Sequence, residues 1–311
     1  MAERNGMDES SAAEFERHRR RLFGVAYRML GSAADADDVV QDTFLRWNRT
    51  ERGSVAEPSA WLVKATTNLC LNRLTSAWHR RERQSGFSLP EPVLTSDGTL
   101  GPVETAEQRD TVSLAFLLLA ERLSPGERAV FVLREAFGYG HREIAELTGL
   151  SEQNCRQSHS RARKRLAEAM PRREAADSKS NRALVERFLS AARGGDLAGL
   201  ERMLTEDVVS VADGGQTPGV ARVPVRGAEK VARYLASVTG RYAAGLTIAV
   251  DEVNGEPAIL AMAGPRLVGV LVPEFGEGLI TALRIVADPV KLRYLDTQLG
   301  ALSHSEELPG S

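Results

Sequence analysis

Apolar residues in the N-terminal part fall at helical spacing. Leu22, Phe23, Ala26, Tyr27 and Leu30 make one stripe and Val39, Val40, Phe44 and Trp47 another, with Gly31-Ser32 between them. Two amphipathic helices are predicted within 14–47. A third follows Pro58-Ser59, with Ser59 as its cap and Trp61, Leu62, Ala65 and Leu69 on one face. From Gln84 to Glu107 the pattern breaks into Gly, Ser, Pro and Thr, which reads as a linker. Periodicity returns with Val112, Ala115, Phe116, Leu119 and Leu123. Ser124-Pro125-Gly126-Glu127 then has the form of a capped helix start, and Val130, Leu133 and Phe137 continue to a turn at 138–140. Beyond Pro171, helices are predicted over 181–193, 197–204 and 229–239. β-branched runs at 208–211, 247–250, 258–262, 267–272 and 279–286 predict strands of a curved antiparallel sheet, hence an α+β domain.

The stretch 141–166 carries the most specific local signal. His141 to Leu147 suits a short helix, Thr148-Gly149 a tight turn, and Ser151 the cap of the next helix, which is helix-turn-helix spacing. At about 100° per residue, Cys155, Ser158, His159, Ala162 and Leu166 share one face. Gln153, Arg156, Gln157, Ser160, Arg161 and Lys164 point elsewhere, and Ser151 stands at the cap. Gln and Arg can make bidentate contacts to base edges, and Ser and Lys suit phosphate oxygens. The alternative is a solvated basic face complementing a helix dipole. Cys155 reads either as a reactive thiol or as a small apolar packing residue, and its neighbours Ala162 and Leu166 favour packing.

Charge sharpens this picture. The 311 residues carry a formal net charge of -2, yet from 153 to 173 seven cations (Arg156, Arg161, Arg163, Lys164, Arg165, Arg172 and Arg173) face the single acid Glu168. Such clustering is the footprint of phosphate binding, while the near-neutral total argues against indiscriminate affinity for nucleic acid. A second charged face lies on the predicted helix 33–47, where Asp35, Asp38 and Asp42 recur at helical spacing beside Gln41; it suits either solvent or a basic partner helix. Composition, at 42% hydrophobic and 26% charged, is that of a globular protein. Two cysteines are too few for a disulfide framework and show no metal-ligand spacing, and no apolar run is long enough to span a bilayer, so a cytoplasmic protein without cofactor or membrane partner is expected.

Several blocks in order carry a family resemblance. Ala-Tyr-Arg-Met-Leu-Gly-Ser-Ala-Ala-Asp-Ala-Asp-Asp-Val-Val-Gln-Asp-Thr-Phe-Leu-Arg-Trp (26–47), Ala-Trp-Leu-Val-Lys-Ala-Thr-Thr-Asn-Leu-Cys-Leu-Asn-Arg-Leu (60–74) and Leu-Ser-Pro-Gly-Glu-Arg-Ala-Val-Phe-Val-Leu-Arg-Glu (123–135) with the helix-turn-helix resemble bacterial RNA polymerase sigma factors of the extracytoplasmic-function (ECF) type. The resemblance implies that Asp35, Asp38, Gln41 and Asp42 bind the clamp helices of the polymerase largest subunit. It implies that Trp61, Lys64, Asn68, Asn72 and Arg73, with the loop 52–57, open and read a minus-ten element, and that the helix from Ser151 to Leu166 reads a minus-thirty-five element. Trp61 fits a core position equally well.

Asn-Cys-Arg-Gln (154–157), Leu-Pro-Glu-Pro (89–92), Asp-Gly-Gly-Gln (213–216) and Asp-Pro-Val-Lys-Leu (288–292) are similar to the subgroup with a cone-shaped SnoaL-like extension. Ser88, Gln216 and Asp288 stand where that subgroup has Trp, Gly and Asn. The implied fold is multi-domain: two all-α sigma domains, the second with a helix-turn-helix, then a SnoaL-like α+β domain. The expected boundaries are 1–84 (sigma domain 2), 85–108 (linker), 109–172 (sigma domain 4), 173–180 (linker), 181–300 (regulatory domain) and 301–311 (flexible tail). Leu89, Pro90, Asp213, Gly214 and Gly215 are the expected interdomain regulatory residues, and core polymerase and promoter DNA the expected partners of a chain that is monomeric when free. All five histidines lie outside 174–300, which argues against an enzyme. The alternative is a polymerase-independent helix-turn-helix regulator whose C-terminal domain binds a small-molecule effector.

Overall fold

A computed structural model of the chain describes residues 2–51, 55–81, 88–100, 106–169, 178–242 and 245–306. The chain forms two compact units: residues 1–86, 97–112 and 116–169 make the first, and 87–96, 113–115 and 170–311 the second.

The first unit is helical, built from α1 (Ala2–Leu30), α2 (Ala33–Arg49), α3 (Pro58–Arg81), α4 (Ala106–Asp110), α5 (Leu114–Ala120), α6 (Pro125–Glu135), α7 (His141–Thr148) and α8 (Glu152–Ala169). Most of the expected stripes are buried, namely Leu22, Phe23, Ala26 and Tyr27 from α1, Val39, Val40 and Trp47 from α2, and Leu62 and Leu69 from α3, while Leu30, Phe44, Trp61 and Ala65 are half-buried. Ser32 caps α2 by accepting the Asp35 N–H at 3.1 Å. Ser59 does not cap α3. That helix starts one residue earlier at Pro58, whose fixed φ suits the first helical position, and the Glu57 carbonyl accepts the Trp61 N–H. The Ser124–Glu127 capping box at the start of α6 is present in full.

The two helical segments on either side of 82–105 pack into this one unit. Arg28 is fully buried and donates to the Gly24 and Leu100 carbonyls and to Thr111 Oγ1, with its guanidinium 5.2 Å from the Phe137 ring centroid. Burial lowers its pKa to about 10, which still leaves it charged at neutral pH. Gly24 lets the Leu100 carbonyl approach, since a Cβ there would lie 2.3 Å from that oxygen. Arg21 adds a hydrogen bond to Tyr139 Oη at 2.9 Å.

The second unit contains α9 (Ser178–Gly194), α10 (Leu197–Arg202), β1 (Leu204–Asp213), β2 (Val225–Arg226), α11 (Ala228–Tyr242), β3 (Thr247–Val253), β4 (Glu256–Ala263), β5 (Arg266–Gly276), β6 (Leu279–Val286) and α12 (Pro289–Glu306). Its sheet has the order β2-β1-β6-β5-β4-β3. The expectation of an all-antiparallel sheet is corrected: β1 and β6 pair in parallel. Alternation marks which segments are strands, whereas a pairing between residues some 70 positions apart has no local signal. Register shifts in β1, β4–β5 and β5–β6 supply the curvature. One apolar cluster joins Val185 and Phe188 of α9, Leu200 of α10 and Val231 and Leu235 of α11 to Val208, Phe275, Ile280 and Leu283 of the sheet, giving the SnoaL-like α+β arrangement.

Two boundary expectations also change. Residues 301–306 are helical rather than tail, because Asp288 and Pro289 start a helix that Leu292 and Leu295 bury. The stretch 89–95 within the expected linker is mostly buried, and Leu94 bridges antiparallel to Val253. Residues 52–54 of the expected DNA-melting loop, 173–177 of the second linker and 307–311 of the tail lie outside the described residues.

Candidate nucleic-acid and polymerase interfaces

The helix-turn-helix is assembled by local chemistry. Gly149 ends α7 in the left-handed region at φ 75°, a conformation glycine adopts without Cβ strain, and its N–H returns to the Ala145 carbonyl. Ser151 Oγ then accepts the Asn154 N–H at 3.2 Å and starts α8. Cys155, Ser158, Ala162 and Leu166 are buried, and burial pushes the Cys155 thiol up, away from thiolate. His159, on the same side, bonds Glu135, and that hydrogen bond holds the Glu135 carboxyl below its ordinary range. The cap Ser151 is exposed, and on the other side of the helix Gln153, Arg156, Gln157, Ser160, Arg161 and Lys164 are all exposed. Arg156, Gln157, Ser160 and Arg161 line a shallow depression along the helix. Arg156 also pairs with Glu152 on its own helix.

On α2, the side chains of Asp35, Asp38, Gln41 and Asp42 are exposed. Arg73 of α3 lies over the acids, with NH1 3.0 Å from Asp35 and 3.6 Å from Asp38, and NH2 3.4 Å from Asp42. A residue assigned from sequence to DNA is thus gathered with three assigned to a protein partner, while Gln41 turns to Asp37. Lys64 and Asn72 are exposed, and Asn68 is half-buried. Trp61 is half-buried, with its ring centroid 5.5 Å from that of Trp47 and the two rings tilted by 51°.

The third cluster lies within the second unit. Leu89 and Pro90 are buried, and the Leu89 N–H donates to Asp213 Oδ2 at 2.8 Å. Lys291 Nζ reaches the same Asp213 oxygen at 2.5 Å, as well as Ser88 Oγ and the Leu89 carbonyl. Burial raises the Asp213 pKa, but the hydrogen bonds from Lys291 and Leu89 outweigh it, and the net shift is downward. The two glycines make the turn fit: a Cβ on Gly214 would lie 2.6 Å from Val220, and one on Gly215, at φ 54°, 2.6 Å from Asp288. Downstream, Val93 exchanges two hydrogen bonds with Asn254, Leu94 N–H donates to Gln298, and Thr95 bonds the main chain and side chain of Glu252.

The chain matches the models for Sigma-70 region 2 over residues 15–80 and Sigma-70, region 4 over 113–166. It is 37% identical to the ECF RNA polymerase sigma factor SigJ of Mycobacterium tuberculosis (strain ATCC 25618 / H37Rv) over 90% of this chain and 92% of that one. The chain is an ECF RNA polymerase sigma factor. A second relative, the probable ECF sigma factor SigI of M. tuberculosis (strain CDC 1551 / Oshkosh), is 33% identical over 93% of this chain and 97% of its own. The crystal structure of M. tuberculosis SigJ superposes with a TM-score of 0.71 at 31% identity, covering 91% of this chain and 98% of that one. As a sigma factor the chain binds core RNA polymerase and promoter DNA and contributes to transcription initiation. Among the described residues no helix is long and apolar enough to cross a membrane.

Sequence reasoning overlooked four residues of this sigma factor. Lys291 stood inside a recognised motif without a role, and its partner Asp213 lies 78 positions away. Asn254-Gly255 carried a legible signal, being a hairpin turn with both residues at positive φ, but only the fold shows the Asn254 carboxamide accepting from Val93. Gln298 lies on α12, a helix absent from the sequence reading. Arg165 was counted as a cation but given no partner.

Proposed function

We propose that this sigma factor carries its regulator in cis, and that the C-terminal domain acts by holding the linker. The observation that carries the reading is the fixation of residues 88–95 by Asp213, Lys291, Asn254, Glu252 and Gln298. The linker joins the two DNA-contacting segments, so its conformation sets how far apart they can reach. Two weak DNA contacts joined by a short tether gain through effective concentration, and the gain vanishes when the tether cannot span both sites. Of Asp213, Asp251 and Glu252, acids of this domain that a catalytic reading could use, Asp213 and Glu252 bond the linker, which favours a regulatory domain over an enzyme.

In this account Asp35, Asp38, Gln41 and Asp42 dock on the largest-subunit clamp helices of core polymerase. Trp61, Lys64, Asn68, Asn72 and Arg73 engage the minus-ten strand, with the half-buried Trp61 available for stacking. The outward face of α8 reads the minus-thirty-five element from the major groove. The free chain is a cytoplasmic monomer in this reading, and the C-terminal domain needs no small-molecule ligand for the holding role. Run-off transcription with core polymerase, on a promoter duplex selected by the holoenzyme from a randomised pool, tests it by comparing the full chain with residues 1–173. Altered promoter-dependent output from a truncated chain that still co-purifies with core supports the regulator. Equal output removes it, and failure of the full chain to bind core would favour a polymerase-independent regulator.

A further inference from the structure

Glu127 sits at the third position of α6, and its side chain is 7% exposed although three of its neighbours are polar or charged. Its Oε2 accepts from the Ser124 N–H and hydroxyl, both at 3.0 Å, and from Arg165 NH1 at 2.8 Å. Its Oε1 lies 3.4 Å from Arg161 Nε. Both arginines are more than half exposed and belong to α8, where Arg161 borders the depression formed with Arg156, Gln157 and Ser160. One nearly buried carboxylate therefore does two separate jobs. It completes a cap, for which any acceptor at this position suffices, and it holds two guanidinium groups, for which charge matters.

We infer that Glu127 is a positioning residue for promoter reading: from the supporting helix its carboxylate fixes Arg161 and Arg165 and withholds part of their charge from the phosphate backbone. This rests on the reading that α8 lies against promoter DNA. The chemistry follows from the two components of DNA affinity. Free cations raise affinity for every sequence through counterion release, whereas a guanidinium held in one orientation discriminates between bases. Tying two of the α8 cations to one anion lowers the first component and favours the second. The tie also accords with a chain of net charge -2 that needs polymerase to deliver it to DNA.

Glu127→Gln separates the two jobs, because glutamine still accepts at the third position of a capping box while losing the charge. The assay is binding of closed holoenzyme complexes, in the cold, to a duplex selected from a randomised pool and to one non-selected duplex, across a salt series. With the two arginines released, the slope of log K against log salt steepens by about one to two, since each neutralised phosphate contributes about 0.9. Binding to the non-selected duplex rises, and the ratio of selected to non-selected binding falls by roughly five-fold or more, the lower end of what a lost base contact costs. Lys164→Ala is measured alongside and lowers the slope by about 0.9 if α8 faces phosphate. An unchanged slope and ratio in Glu127→Gln, with Lys164→Ala behaving as expected, overturns the positioning role alone. No response from either variant overturns the reading of α8 as well. If Glu127→Gln fails to fold, Arg165→Gln decides, since it leaves the cap intact: a loss of slope less than half that of Lys164→Ala supports the tie, and an equal loss overturns it.

Discussion

Two clusters in this sigma factor place a cation against carboxylate, and their settings are opposite. Arg73 is shared by Asp35, Asp38 and Asp42, whose side chains are 50–65% exposed, so each pairing is made in water and exchanges readily with solvent. Lys291 and Asp213 are only 16% and 11% exposed, and their remaining capacity is spent on the Leu89 main chain, Ser88 and the Gly215 N–H. The first arrangement leaves an acidic face that a basic partner can take over by displacing one arginine. The second commits a charge pair to a fixed segment of chain. The same pairing of charges is thus solvent-exposed and exchangeable in one region, and enclosed and tied to the main chain in the other.

The comparison breaks most visibly at the buried pair. Asp213→Ala leaves the Leu89 N–H without its acceptor and the Lys291 ammonium without its counter-charge, with only Ser88 Oγ and the Leu89 carbonyl remaining. It is expected to destabilise linker docking by on the order of 3 kcal/mol, the cost of removing one partner of a buried pair. Amide hydrogen exchange over residues 88–95 checks this, with protection lost there before the sheet opens. Acid should act on the same group. The Asp213 pKa is lower when folded than unfolded, so its contribution is complete above the ordinary value of about 3.9 and is lost as pH falls through the depressed value. Protection at Leu89 is therefore expected to be flat from neutral pH to about 5 and to fall only in stronger acid.

Smaller effects sharpen the contrast. Gly215→Ala places a Cβ at positive φ and against Asp288, and should cost about 1–2 kcal/mol in urea unfolding of the second unit. Arg73→Ala should cost no more than about 1 kcal/mol in the first unit, and the difference from the parent chain should shrink as salt rises. A salt-insensitive loss of several kcal/mol there would mean that the acidic face is built around Arg73 and is not free to exchange.

What was legible in the sequence followed the reach of each interaction. The helix-turn-helix could be read almost residue by residue because the Gly149 stop, the Ser151 cap and the Cys155–Ala162–Leu166 face are all set within a few positions. The strands were visible as β-branched runs, but the parallel pairing of β1 with β6 was not, since it depends on where distant segments meet. Linker docking fell between these cases. Its motifs were recognisable as Leu-Pro-Glu-Pro, Asp-Gly-Gly and Asp-Pro-Val-Lys, yet turn-like composition cannot show that Leu89, Val93 and Leu94 are buried, or that Lys291 closes on Asp213. The contact of Arg73 with Asp35, Asp38 and Asp42 was not legible for the converse reason: helical spacing shows the neighbours of Arg73 on its own helix, while these acids lie on the helix beside it.

The central claim is that the C-terminal domain governs initiation by holding the linker, and the most direct measurement is promoter-dependent transcription by core polymerase with full-length Asp213→Asn. That variant keeps the domain and its hydrogen-bonding shape but removes the charge that Lys291 and the Leu89 N–H share. The account predicts that its output departs from the parent chain in the same direction as the chain ending at residue 173. Parent-like transcription from a variant whose residues 88–95 have lost exchange protection would contradict it.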